Sequence, residues 1–180
     1  GMIVLLFILV AIFAEVLAPY PFAEVHPADR LQGASTKYLL GTDHLGRDFL
    51  SRLIHGARLS LMVGLAATTL NVGVGVLIGG LSGFIGGKFD LVVQRFVDAW
   101  MSMPGLLLLL TIMSLAGRGL VQIILVLGIS SGITNSRVVR SAVIAIKEND
   151  YFQAARAVGA SKSRIFFRHV LPNIMPPIII

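Results

Sequence analysis

The sequence predicts an all-α integral membrane protein, a polytopic helical bundle, and three observations predict it. The 180 residues are 56% hydrophobic and only 13% charged, whereas a soluble domain carries about a quarter charged residues. Lipid must therefore cover much of the surface. The mean hydropathy is +0.86. The apolar residues gather into long runs, several near or beyond the roughly 17 residues that a bilayer-spanning helix needs. The chain has no cysteine, so disulfide and thiolate chemistry are excluded and the redox compartment stays open. A formal charge of +6 on a soluble protein would point to nucleic acid. On a membrane protein its placement matters more than its sum.

The runs follow in order. Met2 to Ala18 is apolar except for Glu15 and predicts a first span over 2–18. A cleaved signal peptide is the rival reading, but the basic flank it needs is missing. Next comes a long connection that is polar and neutral, with five charges of each sign from Glu15 to Arg58. Within it GTDHLGRD offers Asp43, His44 and Asp48, residue types a metal uses. An ordered turn punctuated by Gly41 and Gly46 uses the same residues and is favoured, with Asp43 capping the helix that follows. Phe49, Leu50, Leu53, Ile54 and Leu61 then alternate with Arg47, Arg52 and Arg58, the pattern of an amphipathic helix along the membrane surface.

Leu59 to Ile85 carries no charge and predicts the second span, over 59–85. Gly75, Gly79, Gly83 and Gly87 recur every four residues, a small-residue ridge for close helix packing. Lining a pathway is the weaker alternative. GVGVLIGG lacks the spacing and the βαβ surroundings of a nucleotide-binding fingerprint. The third span is expected over 96–116, interrupted by Asp98 and by Pro104, which removes a helical hydrogen bond and sets a kink. Asp98, near the span end, is expected to be wet or paired with Arg95 one turn earlier. The fourth span covers 119–136, from Gly119 past Thr134, between Arg118 and Arg137. The fifth runs from 170 onward. A chain ending on Pro-Pro-Ile-Ile-Ile inside a rising apolar run is expected to be a fragment, and its apolar first residues suggest that the start is missing too.

Charge sets the orientation. From Arg137 to His169 lie seven basic and two acidic residues, net +5. Positive loops stay in the cytoplasm, so the connection over about 147–169 is cytoplasmic and the 19–58 connection is outside. That cytoplasmic connection contains YFQAARAVGASKSRIFFRHVLPN. A helical run from Tyr151 stops at Gly159, and Ser161 caps a second helix bearing Lys162, Arg164 and Arg168. This looks like a helix-turn-helix, but both ends are tied to spans and no third helix supports it, so reading of nucleic acid is excluded. Small residues at Ala154, Ala155 and Ala157 suit close approach of another protein. No catalytic constellation is present, since the four histidines are scattered.

Gln153, Ala154, Ala155, Gly159, Leu171 and Pro172 resemble the cytoplasmic coupling loop of bacterial ABC importer permeases. That signature reads Glu-Ala-Ala, a glycine four residues after the second alanine, then Leu-Pro at the foot of the next span. Gln153 departs from the usual glutamate. Upstream, YLLGTDHLGRDFLSRLIHGARLSL and GGLSGFIGGKFDLVVQRFVDAWMSMP are similar to dipeptide, oligopeptide and nickel permeases. The resemblance implies one multi-pass domain over 1–180 in a bacterial cytoplasmic membrane. It implies a second permease subunit, two cytoplasmic ATPase subunits that take the coupling helix in a groove, and an extracytoplasmic binding protein. The ATPase-coupling interface would be Gln153, Ala154, Ala155, Gly159 and Ala160. The chain itself would bind no cofactor and catalyse nothing, ATP being used by its partners. Peptides are the expected cargo, nickel the alternative. A self-contained carrier and a membrane-embedded enzyme rank below.

Overall fold

A computed structural model describes residues 1–117 and 119–179, so Arg118, which bounds the expected fourth span, lies outside the described residues. The chain divides into two compact units, 1–65 and 66 onward, where the sequence led us to expect one.

Unit 1 opens with helices α1 (Met2–Ile12) and α2 (Ala14–Leu17), separated by a distorted Phe13. The expected first span is thus a shorter apolar helix. Ala18 turns extended because the residue before a proline, here Pro19, is driven out of the helical region. The polar connection has its own small core. Tyr38 is fully buried, Tyr20 lies 5.4 Å from it ring to ring, and the Tyr38 hydroxyl donates to Asp29 at 2.7 Å. Lys37 Nζ (2.7 Å) and Gln32 Nε2 (2.9 Å) donate to the same carboxylate. This local core explains why the connection belongs to a unit of its own.

Helix α3 (Phe49–Gly75) continues through a π-helical turn (Val76–Gly80) into α4 (Leu81–Ile85). Together they make one apolar helix of 37 residues, about 55 Å long at 1.5 Å per residue against a hydrocarbon core of about 30 Å. The amphipathic segment is therefore continuous with the span. Asp48 starts the helix, its carboxylate accepting from Ser51 N at 2.7 Å. Asp43 does not cap it, contrary to expectation. Its oxygens accept from Leu45 N (2.8 Å), Arg47 N (3.0 Å), Arg47 Nε (2.8 Å) and Arg52 (2.6 Å), which closes the turn.

Helices α5 (Gly87–Ser102) and α6 (Gly105–Ala116) meet at an 88° bend at Met103–Pro104. The expected 96–116 span is thus two pieces, with Pro104 at the break. Helix α7 (Leu120–Lys147) runs eleven residues past the expected end at 136. Arg137 pairs with Asp98, and Arg140 grips Asp90 through two bonds of 2.6 Å. Paired cations do not end a span as free ones do. Among the described residues two helices are long and apolar enough to cross a membrane, or three if α5 and α6 count as one broken span.

Glycines join α3–α4 to α7. A Cβ at Gly79 would lie 2.0 Å from Ser136 O and 3.0 Å from Arg140 N, and one at Gly83 3.0 Å from Arg140 O. Gly75 is in ordinary contact with α7 at 3.5 Å. Gly87 is not part of the ridge, since it has a positive φ of 59° beyond the end of the helix and no atom within 4 Å of its Cβ position. Two glycines of α7 complete the joint: Cβ atoms at Gly128 and Gly132 would meet Leu70 at 2.8 Å and Val74 at 2.6 Å. Residues 70, 74, 79 and 83 thus face 128, 132, 136 and 140. The two helices run parallel, so the chain between them has to return from one end of the pair to the other.

Candidate functional site

The connection between α7 and α10 folds as a short hairpin on the far ends of α4 and α7. Helix α8 (Asp150–Ala157) has an acid in its first turn and Arg156 in its last, both favourable to the helix dipole. It stops at Gly159 in a Schellman arrangement, with Gly159 N donating to Arg156 O at 3.0 Å and Ala160 N to Ala155 O at 3.1 Å. This ending puts the C′ residue in the left-handed region, and Gly159 has φ 77°. Ser161 then caps α9 (Lys162–Ile165), its hydroxyl accepting from Arg164 N at 3.3 Å. A second π-helical turn (Phe166–Val170) leads into α10 (Leu171–Ile179). Pro172 cannot donate in that first turn, and Asn173 Nδ2 donates to His169 O at 2.7 Å.

Phe152 sets the phase of α8. It is 3% exposed and joins Val143, Ile146, Ile165, Phe166, Val170 and Ile174 in one core cluster. Phe84 makes edge-on ring contacts with Phe152 (6.4 Å) and Phe166 (5.3 Å). Phe166 in turn lies against Gly80, whose Cβ position is 3.4 Å from its ring. The hairpin is therefore packed onto the foot of both long helices. Polar ties strengthen the joint: Lys147 Nζ donates to the carbonyls of Gly83 (3.0 Å) and Phe84 (3.1 Å), and Gln153 Nε2 to Lys147 O (2.8 Å). A glutamate at 153 could not make that last bond, because an ionised carboxylate only accepts.

Of the five residues assigned to the interface, Gln153, Ala154 and Gly159 are exposed. Ala155 and Ala160 are half-buried against the core. Ala157 and Val158, the latter 83% exposed, complete the outward face with Ala154. Val158 was missed by sequence reasoning because an exposed valine carries no signal until the helix phase is known. Residues 154, 157 and 158 share a face at helical spacing, opposite Phe152.

Charged rungs join α5 to α7. They are Asp90–Arg140 and Asp98–Arg137, and Arg95 makes a longer contact of 3.6 Å with Asp98, so Asp98 has Arg137 as its nearer partner and Arg95 as a second. Where α5 and α6 bend, a groove of about 640 Å³ is lined by Trp100 and Met103 on one side and by Ser130, Ser131, Thr134 and Asn135 on the other. In the polar connection before α3 burial works to raise the Asp43 carboxyl. The backbone amides of Arg47 and Leu45, then the Arg47 and Arg52 side chains, outweigh it and hold the group well below the usual carboxylate range. Asp43 is therefore the hub of a turn.

Comparison with known proteins gives a family. Residues 75–180 match the family described as binding-protein-dependent transport system inner membrane component. The chain is 39% identical over 174 residues to the dipeptide transport system permease protein DppC of Alkalihalophilus pseudofirmus, covering 97% of this chain and 57% of that protein. It is 36% identical over 178 residues to the oligopeptide transport system permease protein OppC of Bacillus subtilis (99% and 58%). It is 34% identical over 181 residues to the glutathione transport system permease protein GsiD of Pectobacterium atrosepticum (100% and 60%). The chain spans 57–60% of the length of these relatives.

Proposed function

Because the chain belongs to the family of binding-protein-dependent transport system inner membrane components, we propose that it is a permease subunit of an ATP-driven importer of di- and oligopeptides. The three relatives named above carry dipeptide, oligopeptide and glutathione transport in their names, and none of the three is a nickel permease. The subunit works in the bacterial cytoplasmic membrane with a second permease subunit, two ATPase subunits and an extracytoplasmic binding protein. It binds no cofactor, and ATP is hydrolysed on the partner subunits.

The observation that carries this reading is the α8 face of Ala154, Ala157 and Val158, exposed and small, on a hairpin locked to both long helices. A groove on the ATPase takes that face. Closure of the ATPase pair on ATP pushes α8, and Phe152 and Phe84 pass the push to the foot of α4. The Gln153–Lys147–Phe84 ties pass it to α7 at the same time. Coupling here is mechanical, so a side chain that holds α8 matters as much as one that touches the partner. Beside the α5–α6 bend, the hydroxyl and amide row from Ser130 to Asn135 forms part of the pathway wall. Such groups satisfy peptide carbonyls and amides without fixing a side-chain identity.

The test is a disulfide cross-link between Ala154→Cys and a cysteine lining the ATPase groove, in membranes expressing the complete gene. Ala154 is exposed, whereas its neighbour Ala155 is half-buried. A cross-link whose yield changes with ATP supports coupling. No cross-link, with Arg164→Cys labelling normally, would favour a carrier that needs no ATPase.

A further inference from the structure

A cavity of about 400 Å³ opens between the ends of the two long helices and the α8–α9 hairpin. Phe84, Phe152 and Ile165 wall it, and Lys147, Arg156 and Lys162 supply three cations, with no acidic residue in the lining. Lys147 is tied to the Gly83 and Phe84 carbonyls. Arg156 and Lys162 are exposed, and no ion pair among the described residues uses either. A cation-lined hollow with aromatic walls suits an anion that carries an apolar body.

Position decides which anion. Phe84 and Lys147 stand in the last turns of two apolar helices, and the parallel register puts both ends on the same side. The cavity therefore sits at the cytoplasmic-side ends of the two helices, where the anions of the membrane surface are lipid phosphates. The volume equals roughly thirteen waters at about 30 Å³ each, room for a phosphodiester and its glycerol. Phe152 and Arg156 lie one turn apart on the cavity side of α8, whereas Ala154, Ala157 and Val158 lie opposite. A soluble partner seated on that outer face leaves the cavity free.

We infer that this cavity holds the phosphate of an anionic phospholipid from the cytoplasmic leaflet, bridging Arg156 and Lys162 and pinning the hairpin to the span ends. The inference rests on the membrane-spanning helices and their orientation, and is independent of the ATPase reading. Native mass spectrometry of the complete detergent-purified transporter tests it, with phosphatidylglycerol or phosphatidylcholine added. The wild type is expected to retain one phosphatidylglycerol that Arg156→Gln/Lys162→Gln binds about thirtyfold more weakly, from about a fivefold loss per cation. The charge-matched Arg164→Gln/Arg168→Gln control, altered outside the cavity, should stay within about threefold of wild type.

Equal losses in both variants, or equal retention of phosphatidylcholine, would overturn the site. Displacement of the lipid by millimolar inorganic phosphate would show a free-anion site instead. Retention only when the ATPase subunits have dissociated would assign the cavity to a carboxylate of that partner. Because the ATPase subunits are weighed in the same spectra, their loss is read separately from loss of lipid.

Discussion

Gly79→Ala is the sharpest test of the fold. The added methyl would lie 2.0 Å from Ser136 O and 2.8 Å from Ser136 C, where ordinary contact begins at 3.4 Å. Both obstacles are helix backbone, so no rotamer change relieves the clash. The helices must separate locally by about 1.4 Å, which strips the joint of contacts at Gly75, Gly83 and Gly132 too. Overpacking of this kind costs about 1–3 kcal/mol, and a backbone obstacle puts Gly79 at the upper end. For a chain of this size about 3 kcal/mol lowers the unfolding midpoint by roughly 6–12 °C. Gly73→Ala is the matched control, in the same helix with no atom within 4 Å. It should be neutral or stabilising by up to about 1 kcal/mol through helix propensity. The assay is thermal loss of the monodisperse chromatographic peak of the purified complete complex. Equal midpoints for the two variants would refute the parallel glycine joint.

Three further expectations follow from the same geometry. Phe152→Ala removes a nearly fully buried ring and should cost about 3–5 kcal/mol, enough to detach α8 while the spans still insert; peptide uptake should fall far more than membrane abundance, and a parallel fall in both would count against a coupling role. Asp90→Asn leaves Arg140 half-buried without its anion, at about 1–3 kcal/mol between the exposed and buried limits, and adding Arg140→Gln should recover part of the lost midpoint. The Lys37 ammonium, then the Tyr38 hydroxyl, hold the Asp29 carboxyl below its ordinary value. That contribution is complete above about pH 4 and is lost as pH falls through the lowered folded value, so hydrogen exchange over 29–47, corrected for its intrinsic pH dependence, should quicken below about pH 4 and stay flat from pH 5 to 8.

Local signals were legible in the sequence and pairings were not. The helix-ending Gly159 and the cap at Ser161 act within four residues of themselves, so the hairpin could be drawn from the chain alone. The end of α7 could not, because Arg137 and Arg140 read as cytoplasmic until their partners, Asp98 and Asp90, are brought up from 39 and 50 positions away. Gly128 and Gly132 drew no reading from the sequence, since a spacing of four does not say which helix a glycine faces. Ala155 was assigned to the interface on motif position, and Phe152 turned it inward by taking the core for its own side of α8. Asp43 was read as the cap that Asp48 turned out to be, and only the backbone path through Gly46 separates turn from helix start.

The parallel glycine joint also governs how the molecule moves. Its teeth recur every four residues, so the next matching position along the axis is about 6 Å away. Reaching it requires lifting Leu70 and Val74 over the backbone of Gly128 and Gly132. Axial sliding is thereby ruled out, and residues 70–83 travel with α7 as a single rod. Any change in the packing of these helices has to be taken up elsewhere, and the 88° elbow at Met103–Pro104 is where the backbone already lacks a hydrogen bond to lose. The chain thus separates into a piston and a hinge.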